Sequence, residues 1–187
     1  MINRYSKFLL VAVLSSVLLK TTYSGDIDKT SCVPGFDQEF KLLHSSESIN
    51  PCEKFTDRPL LIVNTASHCG YTPQFETLEK VHQMYSDKGL AVIGVPSNDF
   101  NQESSTEAKT AEVCRINYGV TFTMLSPQKV KGENAHPVFR YLARESKEPL
   151  WNFTKYLVSK ERKVTHRFGS HIKPDSKEIT DAIETLL

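Results

Sequence analysis

The chain has 187 residues, of which 39% are hydrophobic and 24% charged, and this size and composition suit one globular domain and argue against a second. Its 23 basic and 22 acidic residues nearly cancel, so charge gives no reason to expect binding to nucleic acid or to an anionic membrane. Three of the basic residues lie among the first 24, which leaves the rest of the chain slightly acidic.

The first residues have the pattern of a secretory signal peptide. Basic residues precede an apolar run at 8–19, and small or polar residues follow it up to Ser24. Because this run is shorter than the roughly 20 residues that a membrane-spanning helix needs, we predict cleavage near Ser24 rather than an uncleaved anchor. The expected parts are a signal peptide at 1–24 and one domain at 25–187, exported to a bacterial periplasm or secreted from a eukaryotic cell.

Beyond this segment the apolar pattern alternates between buried strands and amphipathic helices. The predicted elements are, in chain order, a hairpin arm at 36–43, a buried strand at 60–66, a helix capped by Thr72 that ends before Gly89, a buried strand at 90–95, a helix opened by a Ser104 and Glu107 capping box, a strand at 120–125, a helix at 136–143, hairpin arms at 154–159 and 163–169, and a helix at 179–186. This order predicts an α/β sandwich with a thioredoxin-like fold, in which helices flank a central mixed β-sheet and an N-terminal β-hairpin precedes it.

Cys69 lies where the first buried strand is predicted to leave the sheet and the next helix to begin. Ligands gather at this edge of open α/β sheets, and the free N–H groups and dipole of a helix N-terminus lower the pKa of a thiol. The position therefore favours a reactive thiolate, and the alternative is a cysteine buried in the core.

The four cysteines, Cys32, Cys52, Cys69 and Cys114, show no metal-site pattern. They form no CxxC motif and the histidines do not cluster with them at ligand spacing, so we expect no metal or other cofactor. An even number of cysteines in an exported protein favours disulfides, and spacing alone leaves all three full pairings open.

Three segments, in order, resemble the signatures of the glutathione peroxidase family. NTASHCGYT is similar to the segment with the peroxide-reactive residue, VIGVPSNDFNQES to the second signature and WNFTKYLV to the third. The resemblance extends from about residue 34 to the C-terminus. It implies the thioredoxin-like fold and a peroxidase that reduces hydrogen peroxide and organic or lipid hydroperoxides with a thiol reductant.

The resemblance also implies catalytic roles for four residues. Cys69 matches the selenocysteine or cysteine that attacks the peroxide, and Gln102, Trp151 and Asn152 match its partners. Amide and indole N–H groups can donate to a thiolate and to the leaving oxygen without adding a titrating group. The alternatives are a solvated loop residue for Gln102 and a core filler for Trp151. Asn152 also begins an Asn-Phe-Thr sequon, which we interpret as coincidental because a glycan would obstruct the site.

Cys114, in EVCRINYGVTF, matches the resolving cysteine of thioredoxin-dependent members of the family. A sulfenic acid at Cys69 would condense with it, and a thioredoxin-like dithiol protein would reduce the resulting disulfide. The helix around Cys114 would have to unwind, because a disulfide requires Cα atoms within about 7 Å. The alternative is a buried helical cysteine in a one-cysteine enzyme that glutathione reduces.

If Cys69 and Cys114 take part in the reaction, Cys32 and Cys52 remain as a pair, and we predict that they form a structural disulfide. The alternative is two unpaired thiols. The resemblance supports this pairing, because exported bacterial members of the family it points to carry similar pairs. In the chain-entropy model, closing a loop of this size stabilises the fold by roughly 3 kcal/mol.

The chain departs from the family pattern at several positions. Ser97 and Asp99 stand where many relatives have cysteine and glutamine, and Thr123 where many have proline. Only RESKEPL separates the predicted helix at 136–143 from Trp151, whereas tetrameric relatives carry a longer insertion, so the resemblance implies a monomer that accepts bulky hydroperoxides. Two other functions stay open: a redox relay or sensor that passes a disulfide to a client protein, and a thioredoxin-fold binding module without catalysis.

Overall fold

The computed structural model describes residues 32–187, so the predicted signal peptide lies outside the described residues. Within the described range, no helix is both long and apolar enough to cross a membrane. The elements are, in chain order, β1 (Phe40–Lys41), β2 (Ser48–Ile49), α1 (Pro51–Lys54), β3 (Leu60–Thr65), α2 (Gln74–Tyr85), β4 (Ala91–Pro96), α3 (Glu107–Ala111), a π-helix (Glu112–Asn117) that continues α3, β5 (Thr123–Met124), α4 (Pro137–Glu145), β6 (Lys155–Val158), β7 (Val164–Phe168) and α5 (Lys177–Glu184).

A five-stranded mixed sheet with the order β5-β4-β3-β6-β7 forms the centre of the fold. β3, β4 and β5 are parallel, and β6 and β7 continue the sheet in antiparallel pairing. β1 and β2 form a separate two-stranded hairpin. This arrangement confirms the predicted α/β architecture with its mixed sheet and N-terminal hairpin.

Each face of the sheet carries its own apolar cluster, because successive side chains of a strand point to opposite faces. On β3, Leu61 and Val63 belong to the cluster that includes residues of α2 and α5, which we call the nucleophile-side cluster. Leu60 and Ile62 belong to the cluster that includes residues of α4, which we call the hairpin-side cluster. Every residue of β3 and β4 is buried, as continuous apolar runs predict.

Two predicted helix caps are wrong. Thr106, not Ser104, is the N-cap of α3, and its hydroxyl accepts a hydrogen bond from the backbone N of Lys109 at 3.3 Å. Glu107 does not close a capping box, because its carboxylate accepts from the backbone N of His44 at 2.6 Å and from the side chain of Lys41 at 3.1 Å.

At α2 the cap residue is Pro73, which makes no side-chain hydrogen bond, and the helix begins at Gln74. The hydroxyl of Thr72 is instead engaged in the turn that precedes the helix, where it accepts from the backbone N of Cys69. The predicted strand at 120–125 is also shorter than expected, because only Thr123 and Met124 pair with β4.

A disulfide joins Cys32 to Cys52, with their Cα atoms 6.1 Å apart. It links the segment before β1 to α1, and both cysteines pack against the hairpin-side cluster. In the described part of the chain, Cys69 and Cys114 are free thiols, and both belong to the nucleophile-side cluster. The disulfide and the two free thiols therefore lie on opposite faces of the sheet.

Candidate functional site

Cys69 lies in a turn at residues 67–73, which connects β3 to α2. Its backbone N donates to the hydroxyl of Thr72 at 2.9 Å, and that hydroxyl donates to the carbonyl of Ala66 at 2.9 Å. The backbone N of Tyr71 approaches the Cys69 sulfur at 3.4 Å. The sulfur therefore faces a donor of the turn itself rather than the first turn of α2, and the residue is only 7% exposed.

Gln102 and Asn152 form an amide pair next to this turn. Asn152 Nδ2 donates to Gln102 Oε1 at 3.0 Å, and the backbone carbonyl of Gln102 accepts from the N of His68, the residue before Cys69, at 2.9 Å. Asn152 is fully buried, and its Oδ1 finds no hydrogen-bond partner within residues 32–187. If both side-chain amides are turned by 180°, Gln102 donates to Asn152 and the bond between them is kept. The unpartnered position of Asn152 then holds an N–H group in place of the oxygen. The pair can therefore present either an acceptor or a donor at that position.

The burial of Asn152 also bears on its sequon. A glycan needs an exposed acceptor, and the Asn152 side chain has no exposed surface in this fold. This agrees with the interpretation of Asn-Phe-Thr as coincidental.

Trp151 lies at the surface and is 40% exposed, so its interpretation as a core filler is wrong. Its ring centroid is 5.3 Å from that of Phe100, and the neighbouring Leu150 is exposed. Two hydrogen bonds with Asn64, in β3, hold the segment that contains Trp151. Asn64 Nδ2 donates to the backbone carbonyl of Trp151 at 3.0 Å, and the backbone carbonyl of Asn64 accepts from the backbone N of Phe153 at 2.6 Å.

The predicted site residues come from three loops at one edge of the sheet. The turn of Cys69 follows β3, the loop of Gln102 follows β4, and Trp151 and Asn152 precede β6, which is antiparallel to β3. All three loops therefore lie at the carboxyl edge of the parallel strands, which is the edge that the sequence predicted. Contacts link Gln102 to Asn152 and to the Cys69 turn, whereas the aromatic contact of Trp151 is with Phe100.

Lys155, a fully buried lysine at the start of β6, was not predicted from the sequence. Its Nζ donates to the carbonyls of Gly169 at 3.4 Å, Ser170 at 3.2 Å and Ile172 at 2.6 Å, and burial lowers the pKa of Lys155 to about 7. The hydroxyl of Ser170 in turn donates to the backbone carbonyl of Asn152 at 2.6 Å. The lysine thus fixes the loop that supports Asn152, and a lysine inside the apolar run TKYLVS was the available signal.

Cys114 lies in the π-helix and is buried. Burial, with a contribution from the negative charge of Glu103, raises the pKa of the Cys114 thiol to about 12, so at neutral pH it is protonated in this conformation. Across residues 32–187, no three histidine, cysteine or acidic side chains cluster closely enough to hold a metal ion.

The sequence matches one family model, described as glutathione peroxidase, over residues 32–143. A glutathione peroxidase of Lactococcus lactis is 42% identical over 139 residues, which cover 71% of this chain and 87% of the relative. A hydroperoxy fatty acid reductase of Synechocystis is 41% identical, with 71% and 85% covered. A glutathione peroxidase-like peroxiredoxin of Saccharomyces cerevisiae is 40% identical, with 73% and 87% covered.

Solved structures agree with these relatives. The crystal structure of Trgpx in its apo form is similar with a TM-score of 0.65 and 27% identity, and the match covers 83% of this chain and 96% of that one. A thioredoxin-like superfamily protein is similar with a TM-score of 0.57, 14% identity and coverage of 80% and 94%. The second likeness bears on the fold alone, and it confirms the predicted thioredoxin-like fold.

Proposed function

The chain belongs to the glutathione peroxidase family and is a thiol peroxidase, and we propose that it reduces hydrogen peroxide and organic hydroperoxides through a sulfenic acid at Cys69. The observation that carries this proposal is the arrangement of the Cys69 turn, in which a backbone N–H faces the sulfur beside the amide pair of Gln102 and Asn152. A preorganised N–H donor stabilises negative charge that develops during a reaction, and the thiolate is the form of a cysteine that attacks a peroxide.

In the first step, the Cys69 sulfur bonds to the distal oxygen of the peroxide and the O–O bond breaks. The leaving oxygen takes up a proton and departs as water or an alcohol, while Cys69 becomes a sulfenic acid. Gln102, Asn152 and Trp151 act as donors to the sulfur and to this leaving oxygen. Neutral donors of this kind stabilise developing negative charge without competing for the proton.

The substrates include lipid hydroperoxides. Phe100, Leu150 and Trp151 place apolar surface beside the segment of Asn152, and Leu150 and Trp151 are exposed to an incoming acyl chain. The similarity to a relative named hydroperoxy fatty acid reductase supports this substrate class.

Cys114 acts as the resolving cysteine in the second step. Its position in a π-helix supports this role, because such irregular turns are rare and concentrate at functional sites. The helix opens, the Cys114 sulfur attacks the Cys69 sulfur, and the S–O bond breaks with release of water. A thioredoxin-like dithiol protein then reduces the disulfide, with glutathione as the alternative reductant, and the enzyme works as a monomer.

The enzyme acts outside the cytoplasm. Residues 1–24 serve as a signal peptide, and residues 25–187 form the mature domain in a periplasm or a secreted fluid. The disulfide between Cys32 and Cys52 supports this location, because structural disulfides persist in oxidising compartments. The reductant must therefore be present in that compartment.

Stopped-flow measurements with hydrogen peroxide and cumene hydroperoxide test the mechanism, with the fluorescence of Trp151, the one tryptophan of the sequence, as the signal. Cys69→Ser should abolish peroxide reduction. Cys114→Ser should retain one round of reduction and lose turnover with thioredoxin. Full activity in both variants would refute the mechanism, and slow turnover with a single specific mixed-disulfide partner would favour a redox relay.

A further inference from the structure

The carboxylate of Glu103 joins two segments that the proposed mechanism uses separately. Its Oε1 accepts hydrogen bonds from the hydroxyl of Ser67, from the backbone N of Ser104 at 2.7 Å and from the hydroxyl of Thr110 at 3.0 Å. Ser67 begins the turn that carries Cys69. Thr110 lies in α3, which continues without interruption into the π-helix. One carboxylate oxygen therefore connects the nucleophile turn to the helix of the other free cysteine.

The second carboxylate oxygen of Glu103 is in an unfavourable position. Oε2 is buried and has no hydrogen-bond partner in the described part of the chain. A buried charged oxygen without a donor costs free energy, which the three donors at Oε1 offset only in part. Movement of α3 away from Glu103 would admit water to this oxygen, and its hydration would favour the open arrangement of the helix.

Thr110 anchors the turn of helix that immediately precedes Cys114. Thr110 is fully buried. Its hydroxyl lies 3.0 Å from the carboxylate of Glu103 and 3.3 Å from the backbone carbonyl of Thr106. The bond to the carboxylate is therefore the shorter of the two, and a charged acceptor makes it the stronger. Cys114 follows four residues later in the same continuous helix. When the helix unwinds from Thr110 onward to expose Cys114, the bond between Thr110 and Glu103 breaks, as does the bond that Arg115 Nη2 donates to the backbone carbonyl of Leu43 at 2.8 Å.

We propose that Glu103, acting through the hydroxyl of Thr110, is a positioning residue that holds the Cys114 helix closed against the Cys69 turn and thereby sets the rate of disulfide formation. This inference rests on the proposed resolving role of Cys114. Burial raises the pKa of the Cys114 thiol while the helix is closed, and the charge of Glu103 adds to this rise. Opening the helix removes both restraints together.

The hydrogen bond between Thr110 and Glu103 affects only the second step of the reaction, the formation of the Cys69–Cys114 disulfide. Reduction of the peroxide occurs at the Cys69 turn and requires no movement of α3. In the second step, Cys114 attacks the sulfenic acid, and the hydroxyl oxygen of Cys69 leaves as water with its own proton and the proton of the Cys114 thiol. Because Cys114 must first leave its buried position, any weakening of the closed helix raises the observed rate of this step.

Thr110→Val tests the proposal, with Thr110→Ser as the matched control that keeps the hydroxyl. The reduced protein is mixed with one equivalent of hydrogen peroxide and quenched at intervals with dimedone or acidic N-ethylmaleimide. Mass spectrometry then counts the Cys69 sulfenic acid and the Cys69–Cys114 disulfide. Thr110→Val should form the disulfide about tenfold faster, since a hydrogen bond to a charged group is lost, while sulfenic acid forms at the wild-type rate. Thr110→Ser should match the wild type in both steps.

Glu103→Gln provides the second variant, because it keeps an acceptor oxygen and removes the charge. Disulfide formation should be faster than in the wild type, and adding Thr110→Val should accelerate it less than the same substitution does in the wild type. Unchanged or slower disulfide formation in Thr110→Val, or equal acceleration in Thr110→Ser, would overturn the inference alone. Absence of any Cys69–Cys114 disulfide in the wild type would instead remove the proposed resolving step, and this inference with it.

Discussion

Among single residues, the fully buried Asn152 makes the most specific contribution to the candidate site, because its amide bonds directly to Gln102. Asn152→Ala would remove the side chain that we propose as a donor to the sulfur and the leaving oxygen, and would leave the Gln102 amide without its partner. We expect the first step, peroxide reduction by Cys69, to slow by about a hundredfold, as when one oxyanion donor is removed from an enzyme. Stopped-flow tryptophan fluorescence measures this step directly.

Asn134→Ala is the matched control, since this asparagine is exposed in the loop before α4. It should oxidise at the wild-type rate. If Asn152→Ala also oxidised at that rate while remaining folded, Asn152 would have a packing role and no part in the chemistry.

Among the elements, α4 has a half-buried histidine as its N-cap, and the titration of this residue makes stability depend on pH. His136 Nδ1 accepts from the backbone N of Val138 at 3.4 Å, and its ring packs against Phe40 with centroids 4.3 Å apart. Burial, aided by the charge of Arg140, lowers the pKa of His136 from 6.5 to about 4. Between these values the unfolded chain binds a proton that the folded chain does not, so the free energy of unfolding should fall by roughly 3 kcal/mol as pH drops from 6.5 to 4.

Urea unfolding at a series of pH values from 7 to 4.5 measures this dependence. His136→Asn is the comparison variant, because asparagine retains a good N-cap acceptor and does not titrate in this range. The stability difference between the two proteins should shrink or reverse as pH falls. A constant difference would show that His136 is protonated with equal ease in both states.

The elements also show what sequence patterns can and cannot predict. β3, β4, α2, α4 and α5 were predicted because their apolar periodicity is a local property of the chain. The capping box at Ser104 and Glu107 failed because the Glu107 carboxylate bonds to His44 and Lys41 in the N-terminal hairpin. Such partners are distant in sequence, and no local pattern contains them.

The same limit applies to the candidate site. Cys69, Gln102, Trp151 and Asn152 could be predicted from the sequence because each lies in a contiguous motif. Lys155 and Glu103 were missed because their roles depend on partners that only the fold brings near, such as the loop at 169–172 and Thr110. The cap of α2 was predicted at Thr72 rather than at Pro73 for a related reason, since the hydroxyl of Thr72 bonds back to the carbonyl of Ala66.

At the scale of the whole molecule, the sheet separates covalent stabilisation from the thiol chemistry. The disulfide packs against the hairpin-side cluster, whereas Cys69 and Cys114 belong to the nucleophile-side cluster. Five central strands lie between the two clusters. Loss of the disulfide should therefore reduce the stability of the fold and leave the reactive turn unchanged.

The double variant Cys32→Ala and Cys52→Ala tests this separation. Removing the cross-link over a sequence separation of 20 residues should lower the free energy of unfolding by roughly 3 kcal/mol, because the unfolded chain regains conformational entropy. At a temperature where both proteins are fully folded, the rate of Cys69 oxidation should equal that of the wild type. Urea unfolding with and without dithiothreitol supplies the control, since the reductant should destabilise the wild type and leave the variant unaffected. A slower oxidation step in the folded variant would mean that the disulfide shapes the reactive turn across the sheet, and that the two faces do not act independently.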